Sequence, residues 1–148
     1  MKNMRDVHRS DFPHFLEIPT RWMDNDAYRH VNNVVYYSFF DTAVNQFLIE
    51  RGVLNIHADR IVGLVVDTGC SYFSSISFPD TVHVGMRVAK LGNSSVRYEL
   101  ALYRNDEGHP AAAGHFVHVY VERATNRSVP IPEPVRAVLE TLVAVATE

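Results

Sequence analysis

Cysteine is nearly absent from this chain of 148 residues, and long runs of apolar residues are absent too. The single Cys70 cannot form a disulfide within the chain, so we expect a cytoplasmic protein. The segment from Met1 to Phe15 is polar and interrupted by Pro13, which is unlike a secretory signal. The longest clean apolar run, Ile61 to Val66, is far shorter than the roughly 20 residues of a membrane helix. We therefore expect no membrane span.

Basic residues are also few. Lys and Arg number 14 against 17 Asp and Glu, and the formal net charge is -3 without any dense basic run. Such a chain lacks the positive surface that binding of nucleic acid or of a membrane surface requires. A few Arg or Lys side chains in one pocket are enough for a phosphorylated ligand, so the net charge leaves a coenzyme open.

The residues that are present indicate a well-packed protein. Hydrophobic residues make up 47% of the chain and charged residues 21%, a balance typical of globular proteins. A chain of 148 residues has the usual size of one domain with one core. We expect residues 1–148 to form a single domain.

One long helix is predicted from Asn33 to Ile49, with Asn32 as its N-cap and Gly52 as its C-terminal stop. Its apolar side is wide and aromatic, which predicts a mostly buried helix. The residues of that side are Tyr36, Phe39, Phe40, Ala43, Phe47 and Leu48.

Four segments after the helix are rich in β-branched and aromatic residues, which favours strands. They run over residues 61–72, 81–91, 95–104 and 111–123. Apolar residues alternate in the last three, which predicts one apolar face for each strand. The predicted apolar faces are Val82, Val84, Met86 and Val88; Val96, Tyr98, Leu100 and Leu102; and His115, Val117, Val119 and Val121.

Turn signals around Gly92 and Gly108 connect neighbouring strands in the antiparallel manner. A short strand over 17–22 precedes the helix, and a terminal helix is predicted from Pro134 to Val145. The order predicts an α+β fold in which an antiparallel sheet wraps around one long helix. The sheet's edges and outer face need cover, so we expect a homodimer or a homotetramer.

The segment from Asp24 to Asn33 joins the first strand to the long helix and holds two carboxylates and an imidazole. A helix start offers unpaired N–H groups and a positive dipole end, which stabilise a carbonyl oxygen as it becomes an oxyanion. Taken alone, Asp24 and Asp26 are more often caps and turn formers than catalytic groups. The pattern is therefore consistent with either a catalytic site or a purely structural loop.

The ordered set Asp24, Asp26, His30-Val31-Asn32-Asn33 and the following aromatic helix resembles the signature of hotdog-fold enzymes of the 4-hydroxybenzoyl-CoA thioesterase-like branch. The downstream strands agree with that layout, so the resemblance covers nearly the whole chain. It implies the hotdog fold and hydrolysis of an acyl-coenzyme A thioester without a cofactor.

The resemblance also implies roles for single residues. Asp26 is the nucleophile or the general base for water, and the backbone N–H of Asn33 polarises the thioester carbonyl. His30 places or tunes the carboxylate, and Asn32 caps the helix and is a candidate substrate-binding residue. The aromatic run from Tyr36 to Phe40 is expected to be core, although one or two of its rings can line the acyl pocket, with Tyr36 as the candidate. The family often has Gly before the histidine where this chain has Arg29.

Other sites are less well supported. Counting a calcium loop from Asp24 puts Arg29 where Gly is needed and Val35 where Glu is needed. His115 and His118 fall on opposite faces of a strand, so we expect no metal site. Cys70 lies in an apolar strand and is expected to be structural.

The same fold also serves acyl-carrier-protein thioesterases, lyases and non-catalytic acyl-binding proteins. A lyase function is less favoured. Lyases of this fold typically have Asn-Pro in this loop, and no Pro occurs around Ala27 and Tyr28. A carrier-protein thioesterase and a non-catalytic binder remain the alternatives. The identity of the acyl group depends on the shape of a pocket, and no pocket can be read from one sequence.

Overall fold

The computed structural model describes residues 4–143. It contains five strands and two α-helices. In chain order they are β1 (His14–Pro19), α1 (Asn33–Glu50), β2 (Ile61–Tyr72), β3 (Thr81–Leu91), β4 (Ser95–Arg104), β5 (Ala112–Glu122) and α2 (Glu133–Glu140). The strands form one antiparallel sheet in the order β1-β3-β4-β5-β2. This is the α+β arrangement expected from the sequence, the hotdog fold.

The two terminal elements differ from their predicted bounds. The first strand ends at Pro19 rather than Trp22, because a 3₁₀ turn, Trp22–Asp24, begins there and is closed by the Asp24 carboxylate. The last helix spans Glu133–Glu140, and residues 144 and 145 of the predicted helix lie outside the described residues. Within residues 4–143, no helix is long and apolar enough to cross a membrane.

Helix α1 supplies the centre of the main core, because it is apolar on most of its circumference and packs against the inner face of the sheet. Its N-cap and C-terminal stop are those expected: the Asn32 side chain accepts a hydrogen bond from the Val34 N–H, and Gly52 follows with a φ of 73°. Its buried residues are Tyr36, Phe39, Phe40, Ala43, Val44, Phe47 and Leu48.

The predicted inner faces of β3 and β4 are confirmed, but the prediction for β5 was wrong. The side of β5 that faces the helix carries Phe116, His118 and Tyr120, which are buried. Val117 and Val119 lie on the opposite face and are half-buried. Both faces of β5 are apolar, so alternation alone cannot orient it; the pairing of Phe116 with buried Tyr98 of β4 does.

Part of the outer face of the sheet is covered by the N-terminal segment. Val7 and Phe12 pack there against Tyr103 in a second, smaller core. Gly85 makes this packing possible, because a Cβ at that position would lie 2.8 Å from the ring of Phe12.

Within residues 4–143, strand β2 forms one edge of the sheet and pairs only with β5. Its register shifts between Val65 and Asp67, where a bulge interrupts the ladder. Around the bulge, the side chains of Leu64, Val65 and Val66 are 43%, 45% and 59% exposed. A long apolar edge of this kind is the feature that a second chain most readily covers.

Candidate active site

The loop between β1 and α1 is held in shape by its own backbone. The Asp26 N–H donates to the His30 carbonyl (2.9 Å), and the Arg29 N–H donates to the Asp26 carbonyl (3.0 Å). A further bond from the Asn32 N–H to the Asp24 carbonyl (2.9 Å) closes the loop at its base. The carboxylate and the imidazole of the motif therefore belong to one closed turn.

Arg29 occupies the position where the family often has Gly, and its φ is 68°. This is the left-handed region, which Gly enters freely and other residues enter at a cost. The chain thus keeps the turn that a Gly would give, although the residue is an arginine.

Asp26 is half-buried, and its Oδ1 accepts a hydrogen bond from the Tyr28 N–H (2.8 Å). Its other oxygen, Oδ2, has no hydrogen-bond partner within residues 4–143. One oxygen is therefore fixed by the loop, and the other is available to a substrate or to a water molecule.

The first turn of α1 begins beside this carboxylate. The Asn32 side chain accepts from the Val34 N–H (3.1 Å), and the Asn32 carbonyl accepts from the Val35 N–H (2.9 Å). The N–H of Asn33 has no hydrogen-bond partner in the described part of the chain. It is an unpaired donor at the positive end of an 18-residue helix.

An open pocket of about 540 Å³ lies over this helix start. It brings together four of the five predicted site residues, Asp26, His30, Asn33 and Tyr36. Asn32 is not among its walls, because its side chain points back to the helix as a cap. The other lining residues are Tyr28, Val31, Tyr72, Phe73, Ser74 and Ser75.

Asp24 has a structural place in this loop, as expected. Its side chain is only 2% exposed and accepts hydrogen bonds from the backbone N–H of Arg21 (2.7 Å) and from the guanidinium of Arg21 (2.8 Å). It does not line the pocket.

Tyr72, at the end of β2, is a site residue that the sequence analysis missed. Its hydroxyl donates to the Asn33 carbonyl (3.1 Å), and its ring meets that of Tyr36 edge-on at 4.9 Å. Burial, with smaller contributions from Cys70 and Tyr37, raises the pKa of Tyr72, so the phenol stays protonated and acts as a donor. Tyr72 reaches the start of α1 only because β2 pairs with β5 in the sheet.

The segment after β2 also anchors the loop. The Val31 N–H donates to the Ile76 carbonyl (2.7 Å), and the Ser77 hydroxyl donates to the Arg29 carbonyl (3.0 Å). The loop is thus held from both sides, by its own backbone and by the segment that follows β2.

A five-stranded antiparallel sheet wrapped around one long helix is the hotdog fold of the thioesterases. The chain belongs to the thioesterase-like superfamily, whose family model matches residues 20–139.

Solved structures agree with this assignment. The PA5185 protein of Pseudomonas aeruginosa is 53% identical, with a TM-score of 0.92 over 95% of this chain and 98% of that one. The PA2801 protein of the same species is 31% identical, with a TM-score of 0.80 over 86% of this chain and 98% of that one. The gentisyl-coenzyme A thioesterase BH1999 shares the fold at 24% identity, with a TM-score of 0.76 over 85% of this chain and 99% of that one.

Proposed function

We propose that this chain hydrolyses an acyl-coenzyme A thioester to the free acid and coenzyme A. One observation carries the proposal: the free Oδ2 of Asp26 and the unpaired N–H of Asn33 belong to the same open pocket. A coenzyme A ester is favoured because BH1999, which has the same fold, acts on one.

The chemistry requires little from the protein beyond these two groups. Asp26 either attacks the thioester carbon, giving an anhydride that water then opens, or takes a proton from an attacking water. In both routes the carbonyl oxygen gains negative charge, which the Asn33 N–H and the dipole of α1 stabilise. The C–S bond then breaks and coenzyme A leaves as a thiolate, which needs no strong general acid.

Three further residues support these groups. His30 lies in the same turn as Asp26 and lines the same pocket, where its imidazole places or tunes the carboxylate. Tyr36 is buried at the pocket wall and contacts the acyl group. Asn32 holds the helix start with its Oδ1 and so acts on the substrate through the Asn33 N–H that it positions.

We also propose that the active form is at least a homodimer in which a second copy covers β2. The edge is unpaired over twelve residues and carries the exposed Leu64, Val65 and Val66. Two-fold symmetry pairs the two β2 strands antiparallel. A homotetramer requires a second interface between such dimers. A cytoplasmic location remains an expectation from the single Cys70.

The proposal is tested by thiol release from a panel of short, long and aromatic acyl-coenzyme A esters. The wild type is compared with Asp26→Asn and with the matched control Asp106→Asn, which changes an exposed carboxylate in a turn. We expect Asp26→Asn to lose about a hundredfold or more in kcat, the scale of a lost acid–base group. The control should keep the wild-type rate.

Two outcomes contradict the proposal. A folded wild type that hydrolyses no coenzyme A ester would favour a carrier-protein ester or a non-catalytic binder. An Asp26→Asn variant as active as the wild type would remove Asp26 from the mechanism.

A further inference from the structure

A small second cavity lies between the later turns of α1 and the start of β2. It measures about 60 Å³, several times the roughly 10–15 Å³ that one water needs. Asn45 and Leu48 of the helix line it on one side, and Gly63, His118 and Tyr120 line it on the sheet side. It is separate from the pocket at Asp26, because Asn33 and Asn45 are twelve positions and about 18 Å apart along the helix.

His118 contributes a polar side chain to the wall of this cavity. The residue is 4% exposed, and its Nδ1 is buried without any hydrogen-bond partner within residues 4–143. Burial lowers the pKa of His118 to about 4, against a smaller opposing effect of Asp41, so the ring is neutral at pH 7. An unpaired polar atom at such depth is unfavourable unless a bound group supplies its partner.

Gly63 leaves space beside this nitrogen on the edge strand. It lies on β2 opposite Tyr120, and a Cβ there would lie 3.1 Å from the His118 Nδ1 and 3.4 Å from the Tyr120 ring. Any side chain at Gly63 would fill the space between the edge of the sheet and the imidazole. The absence of a side chain leaves a gap beside the imidazole on the edge strand, which we call the window.

The proposed dimer places this window beside a catalytic pocket. When two β2 strands pair antiparallel about their middle, the end with Tyr72 lies next to the start with Ile61 of the partner subunit. Paired strands lie about 4.7–4.9 Å apart. Tyr72 lines the pocket at Asp26, and Ile61 and Gly63 line the cavity at His118. Each catalytic pocket therefore meets the small cavity of the other chain.

We propose that the acyl group bound at Asp26 of one chain extends through this window and carries a hydroxyl or carbonyl that hydrogen-bonds to His118 of the partner subunit. The substrate class is then an acyl thioester with a polar group away from the thioester. A hydroxyl fits best, because it both donates and accepts and so satisfies either neutral tautomer of the ring. This inference rests on the proposed thioesterase function and on the β2 dimer.

The test uses coenzyme A esters in pairs of equal chain length, one unsubstituted and one with a terminal hydroxyl, from four to ten carbons. We expect the wild-type kcat/KM to favour the hydroxylated ester at one length by about tenfold or more, because a site built for a hydroxyl rejects the analogue that lacks it. His118→Phe, which keeps the ring contacts with Tyr98 and Phe116, should bring that ratio close to one.

Gly63→Ala provides a second variant that closes the window without removing the imidazole, and it should also bring the ratio close to one. Tyr98→Phe is the matched control. Its hydroxyl is likewise buried without a partner in the described chain, but it does not line the cavity, so the ratio should stay at the wild-type value.

The outcomes separate the two proposals. If the wild type hydrolyses esters but shows no preference at any length, or if both variants keep the preference, the inference is overturned and the cavity holds water only. If a folded wild type hydrolyses no ester at all, the thioesterase function itself fails, and the inference falls with it.

Discussion

The N–H of Asp26 donates to the carbonyl of His30 across 2.9 Å, so the carboxylate and the imidazole of the site are fixed by one turn of backbone. The Asp26 carboxylate also accepts from the Tyr28 N–H within that turn. Because backbone bonds close most of the turn, the roles of its side chains can be distinguished by substitution.

The first prediction contrasts the two acids of the loop. Asp24→Asn should lower the free energy of unfolding by about 1–3 kcal/mol, because the buried carboxylate accepts charged hydrogen bonds from Arg21. Asp26→Asn should change it by no more than about 0.5 kcal/mol, because Asp26 is only half-buried and unpaired with any cation. Urea unfolding of both variants measures the difference. A stable but inactive Asp24→Asn protein would instead give Asp24 a role in the reaction.

The second prediction concerns the left-handed Arg29. Arg29→Gly should raise the free energy of unfolding by about 0.5–1 kcal/mol, since relief of the left-handed strain exceeds the entropy that glycine adds to the unfolded chain. Arg29→Ala keeps the strain and serves as the control, without a gain in stability. Equal midpoints of urea unfolding for the two variants would show that the turn stores no strain at this residue.

The third prediction follows from the buried imidazole of His118, whose pKa falls from 6.5 to about 4 on folding. Between these values the unfolded chain binds a proton that the folded chain does not, so stability is lost as the pH falls from 6.5 toward 4. At about 1.4 kcal/mol per pKa unit, the loss between pH 7 and pH 4.5 is about 2–3 kcal/mol.

Urea unfolding at both pH values, with His118→Phe beside the wild type, measures that loss. The variant should lose less stability on acidification by about the same amount, while other acid-sensitive groups, such as His14, cancel in the comparison. Identical losses in the two proteins would mean that folding does not lower the pKa of His118 below its ordinary value of 6.5.

The fourth prediction concerns Cys70. Burial raises the pKa of this thiol to about 11, so very little thiolate is present at pH 8. Alkylation by iodoacetamide should be at least about tenfold slower in the native protein than in urea. Cys70→Ala should keep the wild-type rate of ester hydrolysis. Fast alkylation that abolishes hydrolysis, together with an inactive Cys70→Ala protein, would make the thiol part of the site.

Much of the fold follows from the sequence because its strongest patterns are local. The aromatic repeat of α1 and its Asn32 cap placed that helix within one residue, and clean alternation placed β3 and β4. The orientation of β5 could not be predicted, since apolar residues occupy both of its faces. Only its register against Tyr98 decides that Phe116 and His118 point inward.

The candidate site likewise combines residues that the sequence groups together with residues that only the fold brings near them. Asp26, His30 and Asn33 lie within eight positions and could be grouped from their order alone. Tyr72 lies 39 positions from Asn33, and its hydrogen bond to that residue exists only because the sheet brings the end of β2 to the start of α1. No local pattern marks such a residue, and neither Tyr72 nor the cavity at His118 could be recognised before the strands were paired.

The anchoring of the catalytic loop has a consequence for how such enzymes diversify. Two backbone bonds close the turn, from Asp26 to His30 and from Arg29 to Asp26, and the Tyr28 N–H adds a bond to the Asp26 carboxylate. Substitutions of exposed side chains such as that of Tyr28 therefore leave the bonds that hold the Asp26 carboxylate in place. Under the proposed function, residues around the pocket can then change the choice of substrate without moving the carboxylate.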